Sequence, residues 1–274
     1  MPLESALKDG ARFAGFLVEP GTFNREEVKG YAAIESVYLA SMASEALVRL
    51  FFAHVGNPAC PWIELTALNN FRDFKSRTQQ LIRNGLTSDL LDQVRTVFRG
   101  NPHPRHFSKQ PDNKAWEDDG IALVELLLHA ASKVMDEAPA YNALKHGFGA
   151  HPSSPSLTIG DPKEGKGQSF TFAGPAINFL HRESRKGDHG PWQRSVSFIS
   201  IAASIATVSS IADAVDSLWA VARWRYLGDS SGEVTLTNAD QLRTLRTEAH
   251  GHGVTDIKLT ATYGTGELSA EDRV

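Results

Sequence analysis

The chain reads as a mainly α protein: a helical bundle of four to five long helices with a small antiparallel β insertion and a C-terminal α/β extension. Three observations carry that reading. Apolar residues recur at spacings of three and four through 24–54, 62–84, 89–99, 115–136 and 200–226, the period of helices with a buried face. Between 153 and 199 the pattern changes to short β-prone runs separated by Gly and Pro. Beyond 229 both patterns occur. The organisation expected is an arm at 1–22, a helical core at 23–152, the insertion at 153–199, a helix at 200–228 completing the bundle, and the extension at 229–274.

Phe13, Phe16, Leu17 and Val18 mark the first segment as an arm that packs on the body. Asn24 and Glu27 form a capping pair, and Tyr31, Ile34, Tyr38 and Met42 extend the first helix to about His54, where Gly56-Asn57-Pro58 ends it. Pro61 suits the first turn of a second helix, 62–84, closed by Asn84-Gly85. That helix carries Arg72, Lys75, Arg77 and Arg83 on a wide solvated face. Thr87 or Ser88 caps a short helix, 89–99. The linker 100–114 holds His103 and His106, three apart with no nearby Cys or carboxylate, so it reads as loop rather than metal site. The helix 115–136 is apolar nearly all round and reads as central.

Ser153 to Ser156 is a linker, and 157–159, 169–172, 177–180 and 194–199 read as strands. His181 to Arg194 reads as a polar loop. Its Arg182, Arg185, Lys186, Trp192 and Arg194 combine cations with an aromatic ring, a set that can meet a nucleic-acid backbone and stack a base or simply be solvated. The helix 200–226, with Ile201, Ile205, Val208, Ile211, Val215 and Leu218, reads as buried, with Trp219 and Trp224 packing. Strands at 233–237 and 256–263 around a helix begun by Asn238 complete the chain.

A net charge of −4 argues against general affinity for polyanions. Residues 141–194 nevertheless hold seven Lys or Arg against four Asp or Glu, a locally basic region. One cysteine, Cys60, excludes an intramolecular disulfide framework and a Cys-rich zinc site. No basic segment followed by an apolar run opens the chain, and the uncharged run 195–212 is rich in serine and followed by Asp213 and Asp216. A cytoplasmic protein with no membrane span, no metal and no cofactor is expected. Gly-x-Ser-x-Gly, His-Glu-x-x-His, the phosphate-binding loop and the dinucleotide fingerprint are all absent.

Chemistry concentrates in Tyr141-Asn142-Ala143-Leu144-Lys145-His146-Gly147. On a helix Asn142 and His146 share a face with Lys145 at its edge, while Tyr141 and Leu144 dock on the core; Gly147 and Gly149 stop the helix. Lys145 and Asn142 can hold a phosphate while His146 moves a proton. The alternative is a capping cluster at a helix C-terminus, where positive charge is favoured. A second spacing competes: Arg49-Leu-Phe-Phe-Ala-His54 has four residues between Arg and His, but on a continuous helix these lie about 140° apart. A third, Arg243 to His250, reads as loop chemistry with His252.

The stretch Tyr-Asn-x-x-Lys-His-Gly after an apolar helix resembles the end of the helical core in variant HEPN-like proteins of prokaryotic toxin–antitoxin and phage-defence systems. The better-known members carry Arg, four to six residues, then His; no Arg stands there before His146. The resemblance covers about residues 24–150 plus a later helix. It implies a metal-independent endoribonuclease (RNase) in which His146 is acid/base and Lys145 and Asn142 support the phosphate. It also implies a homodimer, RNA as substrate, and a cognate antitoxin or defence partner protein. The alternative is a non-catalytic HEPN-like module that binds a nucleotide, nucleic acid or partner protein.

Overall fold

Two apolar cores, joined by one long helix, organise the molecule. The computed structural model describes residues 25–101, 112–136, 138–145, 150–153, 156–159, 170–185, 188–229, 234, 236–237 and 258–262. Among these lie seven helices: α1 (Arg25–His54), α2 (Pro61–Ala67), α3 (Phe71–Asn84), α4 (Ser88–Arg99), α5 (Asn113–Asp136), α6 (Ala138–Lys145) and α7 (Ile201–Leu227). The strands are β1 (Ala150–Ser153), β2 (Ser156–Ile159), β3 (Phe170–Ala173), β4 (Ala176–Arg185), β5 (Asp188–Phe198) and β6 (Lys258–Thr262). One antiparallel sheet has the order β1-β4-β5-β6, and β2 pairs with β3 separately. The protein is mainly α with a small antiparallel β insertion.

The bundle core joins Leu47, Val48, Phe51 and Phe52 of α1 to Phe74 and Leu81 of α3, Val94 and Phe98 of α4, Leu123 and Leu127 of α5, and Ile211 and Leu218 of α7. The second core sets Ala33 and Val37 of α1 against Ala140 and Ala143 of α6, Ile177 and Phe179 of β4, and Ile199. At thirty residues, α1 is about 45 Å long and reaches both. α7 runs parallel to it: both begin near the sheet, and His54 meets the Tyr226 ring edge-on at the far end. Composition and length would let Glu27–His54 and Ile201–Leu227 cross a membrane; here each is packed on the other.

Local chemistry sets the ends. Asn70 caps α3 through its side chain on the Arg72 N–H (3.1 Å), and the Thr87 hydroxyl accepts from the Leu90 N–H (3.2 Å) to start α4. Ser200 does the same for α7 on the Ala203 N–H, 3.2 Å away. Gly100 and Gly228 end α4 and α7 in left-handed conformation, with φ of 78° and 69°. A Cβ on Gly100 would also stand 2.9 Å from the Trp224 ring.

Several expectations are corrected. The helix foreseen at 62–84 is two, α2 and α3, broken at 68–70. Asn70 competes with the helix by capping α3, while Leu68 turns into the core and its carbonyl accepts from Arg49 Nη1 at 2.6 Å. The polar loop foreseen at 181–194 is instead most of a hairpin, β4 to β5, and the linker after Pro152 overlaps edge strand β1. Pro152 is tolerated there because an edge strand has donors to spare. α7 is not buried all round: Ile205, Trp219, Trp224 and Leu227 are exposed. No strand forms at Val234, Leu236 and Thr237. The arm 1–22, the linker histidines His103 and His106, and 238–257, with Arg243, His250 and His252, lie outside the described residues.

One interaction the pattern gave no hint of ties α4 to α5. Arg99 donates from Nε and Nη2 to both carboxylate oxygens of Asp119, at 2.9 and 2.7 Å, with both side chains sealed from solvent. The Thr237 N–H donates to the same carboxylate, and Arg99 Nη2 also donates to the Thr237 hydroxyl. Removing one partner of a buried ion pair leaves an uncompensated charge, at a cost of about 3–5 kcal/mol. Asp119→Ala should therefore lower the free energy of unfolding by about that amount, measured by urea denaturation followed by circular dichroism. Gly100→Ala combines an unfavourable φ with the ring contact and should cost about 1–3 kcal/mol in the same assay.

Candidate functional site

α6 begins at Ala138 with Pro139 in its first turn, a residue suited to that place. Ala140 and Ala143 face the second core, which leaves the opposite side outward. Tyr141 is half-buried and stacks on Tyr38, centroids 5.8 Å apart. Burial, then the nearby Glu45, pushes its hydroxyl above the ordinary tyrosine range. Leu144 packs at the edge of the core. Asn142 and Lys145 are both exposed, and the Lys145 ammonium lies 6.0 Å over the Tyr141 ring. The sequence reading of this helix holds for those residues, and His146 lies outside the described residues.

The competing Arg49/His54 spacing separates on the uninterrupted α1. Arg49 donates to Glu45 Oε1 (2.7 Å) and to the Leu68 carbonyl and stacks over Phe74 at 4.1 Å, all on the side of α2 and α3. His54 faces α7, against Tyr226. The two do not form one site. Burial, then the Arg225 cation, lowers the pKa of His54. The unfolded chain therefore holds the His54 proton more tightly than the fold does. Stability should rise as pH climbs towards about 6.5 and then level, and should fall below it. Thermal melts between pH 5 and 7.5 should show a smaller acid-side loss for His54→Leu than for wild type.

The β4–β5 register gathers part of the expected nucleic-acid set. Arg182 stands directly across from Trp192, and Leu180 from Arg194. Residues directly opposed share a face, and Leu180, Trp192 and Arg194 are all exposed. Phe179, on the other face, is buried in the second core. Trp192 and Arg194 thus belong to the sheet face opposite α6, and the sheet lies between them and Lys145. Arg185 pairs in register with Asp188 at the tip, and Lys186 lies outside the described residues. A register shift between Arg182 and Ser184 accompanies Gly190-Pro191, where proline removes a ladder donor.

Other foreseen and unforeseen groups sort quickly. On α3, Arg72, Lys75 and Arg83 are solvated, but Arg77 lies over Phe52 at 4.5 Å and serves packing. His181 Nε2 and Ser195 Oγ are 2.9 Å apart, the spacing of a nucleophile and its base, yet Ser195 is sealed within the sheet and no substrate reaches it. A cleft of about 300 Å³ opens between the ends of α1, α2 and α7, lined by His54, Cys60, Trp62, Leu218, Trp219 and Tyr226 among others. Sequence reasoning missed it; its one signal was aromatic residues crowded near helix ends, Trp62 after Pro61 and Trp219 before Tyr226. No cluster of three or more His, Cys, Asp or Glu suited to a metal occurs among the described residues. Comparison with protein families, characterised proteins and solved structures finds no match to this chain.

Proposed function

We propose that the protein is an HEPN-like module that binds single-stranded RNA on the exposed face of its four-stranded sheet. The observation that carries this reading is the register that sets Trp192 across from Arg182 and next but one to the exposed Arg194. A base stacks on the tryptophan, the guanidinium groups meet phosphates, and Leu180 supplies apolar surface beside them. The basic balance of 141–194 within an acidic chain favours the same partner. Base–aromatic stacking contributes about 1–3 kcal/mol by alanine substitution. Trp192→Ala should therefore weaken binding of a fluorescent 12-nucleotide poly(U) by at least about fivefold in anisotropy titrations. Arg194→Ala should weaken it and reduce the slope of log K against log salt by about 0.7. Equal affinity for wild type and both variants, or no binding by wild type, would rule the reading out.

A second reading, the metal-independent endoribonuclease, is favoured by Asn142 and Lys145 standing exposed in the last turn of α6. In it the ribose 2′-hydroxyl attacks its own phosphate, His146 moves the proton, and Lys145 and Asn142 bind the anionic oxygens. Wild type incubated with bulk tRNA in EDTA should then leave cyclic phosphate ends, and His146→Ala, equally folded by thermal melt, should leave the RNA intact. A homodimer and a cognate antitoxin or defence partner belong to this reading and are read out by size-exclusion chromatography with light scattering and by co-purification.

A further inference from the structure

The cleft at the far end of α1 and α7 lies away from the sheet and from α6, and it plays no part in the RNA readings. Its wall is almost wholly apolar: Leu50, Ala53, Leu65, Leu218, Ala222 and the rings of Trp62 and Trp219 contribute most of it. Most nitrogen and oxygen groups around it are already engaged, and Cys60 adds a free thiol. The Tyr226 hydroxyl donates to the Pro58 carbonyl at 3.0 Å, and Arg223 pairs with Asp229. Arg225 donates to the Thr96 carbonyl. His54 is different. It lines the cleft with only 8% of its surface exposed, and among the described residues nothing hydrogen-bonds its ring nitrogens.

Its ring nitrogens are not among the polar atoms sealed from solvent without a partner, so they meet the water of the cleft, and a ligand hydroxyl can take that water's place. The fold itself supplies an aromatic edge contact, the Tyr226 ring at 6.0 Å. We propose that this cleft binds a small uncharged molecule with an apolar one- or two-ring body and a single hydroxyl, which donates to a ring nitrogen of His54. The volume sits at the small end of ligand pockets, about 300–1,000 Å³, which suits that body. Trp62 and Trp219 flank the mouth with 65% and 54% of their surfaces exposed and cover the ligand's outer face. Charge is selected against on both signs. A charged group of either sign would have to lose its water against an almost wholly apolar wall. Burial keeps the imidazole in its neutral, accepting form near neutral pH.

The test compares 2-naphthol with naphthalene, the same body with and without the hydroxyl, by equilibrium dialysis against the full chain. Wild type should take up one equivalent of each saturably, with 2-naphthol held about 3- to 10-fold more tightly, the ratio a single hydrogen bond confers. His54→Leu should keep naphthalene uptake and bring 2-naphthol down to the same level. Ala222→Trp, which fills the cleft from its wall, should abolish saturable uptake of both at unchanged poly(U) affinity. No saturable uptake by wild type overturns the proposal without recourse to any variant. So does a 2-naphthol preference that survives in a folded His54→Leu, or saturable uptake that survives in a folded Ala222→Trp.

Discussion

The buried Arg99–Asp119 pair is the constraint on which the bundle's arrangement rests. Two charges sealed from water are tolerable only if geometry and further hydrogen bonds compensate their lost hydration. Here the guanidinium meets the carboxylate with two nitrogens, and the Thr237 N–H and hydroxyl occupy further positions on the pair. A hydrophobic contact would allow α4 and α5 to slide by a turn; this pair does not. It also brings in a segment far along the chain, so that Thr237 closes over the junction of α4 and α5 from 118 residues beyond Asp119.

The same junction explains a glycine in the middle of a helix. Arg95 lies across α5, donating to the Trp116 carbonyl at 3.2 Å, and a Cβ on Gly120 would stand 2.6 Å from its Nε. Two arginines of α4 are therefore laid against α5, one paired with a carboxylate and one seated where a side chain is missing. Helix propensity alone disfavours Gly120 by about 1 kcal/mol; close approach of the Arg95 side chain is what the position gains. α1 serves both cores, and its N-terminal half packs against α6 and the sheet.

That assembly distributes chemistry over separate surfaces. α6 covers one face of the sheet through Ala140 and Ala143, and the hairpin presents Leu180, Trp192 and Arg194 on the other. The cleft lies at the opposite end of α1, where His54 and Tyr226 close the helix pair. Arg49 and His54 show why spacing alone is ambiguous. Four intervening residues would bring the two together only across a break in the helix, and none exists. Each then serves its own side, Arg49 through Glu45 and Leu68, His54 through the α7 contact.

The helices were legible in the chain because helix signals are local. Apolar residues at spacings of three and four, the cap at Thr87 and the stop at Gly85 each act within a few residues. The outward placement of Asn142 and Lys145 followed from the same periodicity. The break at 68–70 was harder, since it depends on Arg49 capturing the Leu68 carbonyl across nineteen positions of chain. The hairpin was misread because its residues are polar: one face is solvated, and strand pairing is made by backbone groups that composition does not report. The Arg99–Asp119 pair, the seat of Arg95 on Gly120 and the cleft around His54 were decided by tertiary structure alone. Each joins residues separated in sequence, and a charge or a histidine bears no local mark of the partner, or the lack of one, that folding assigns to it.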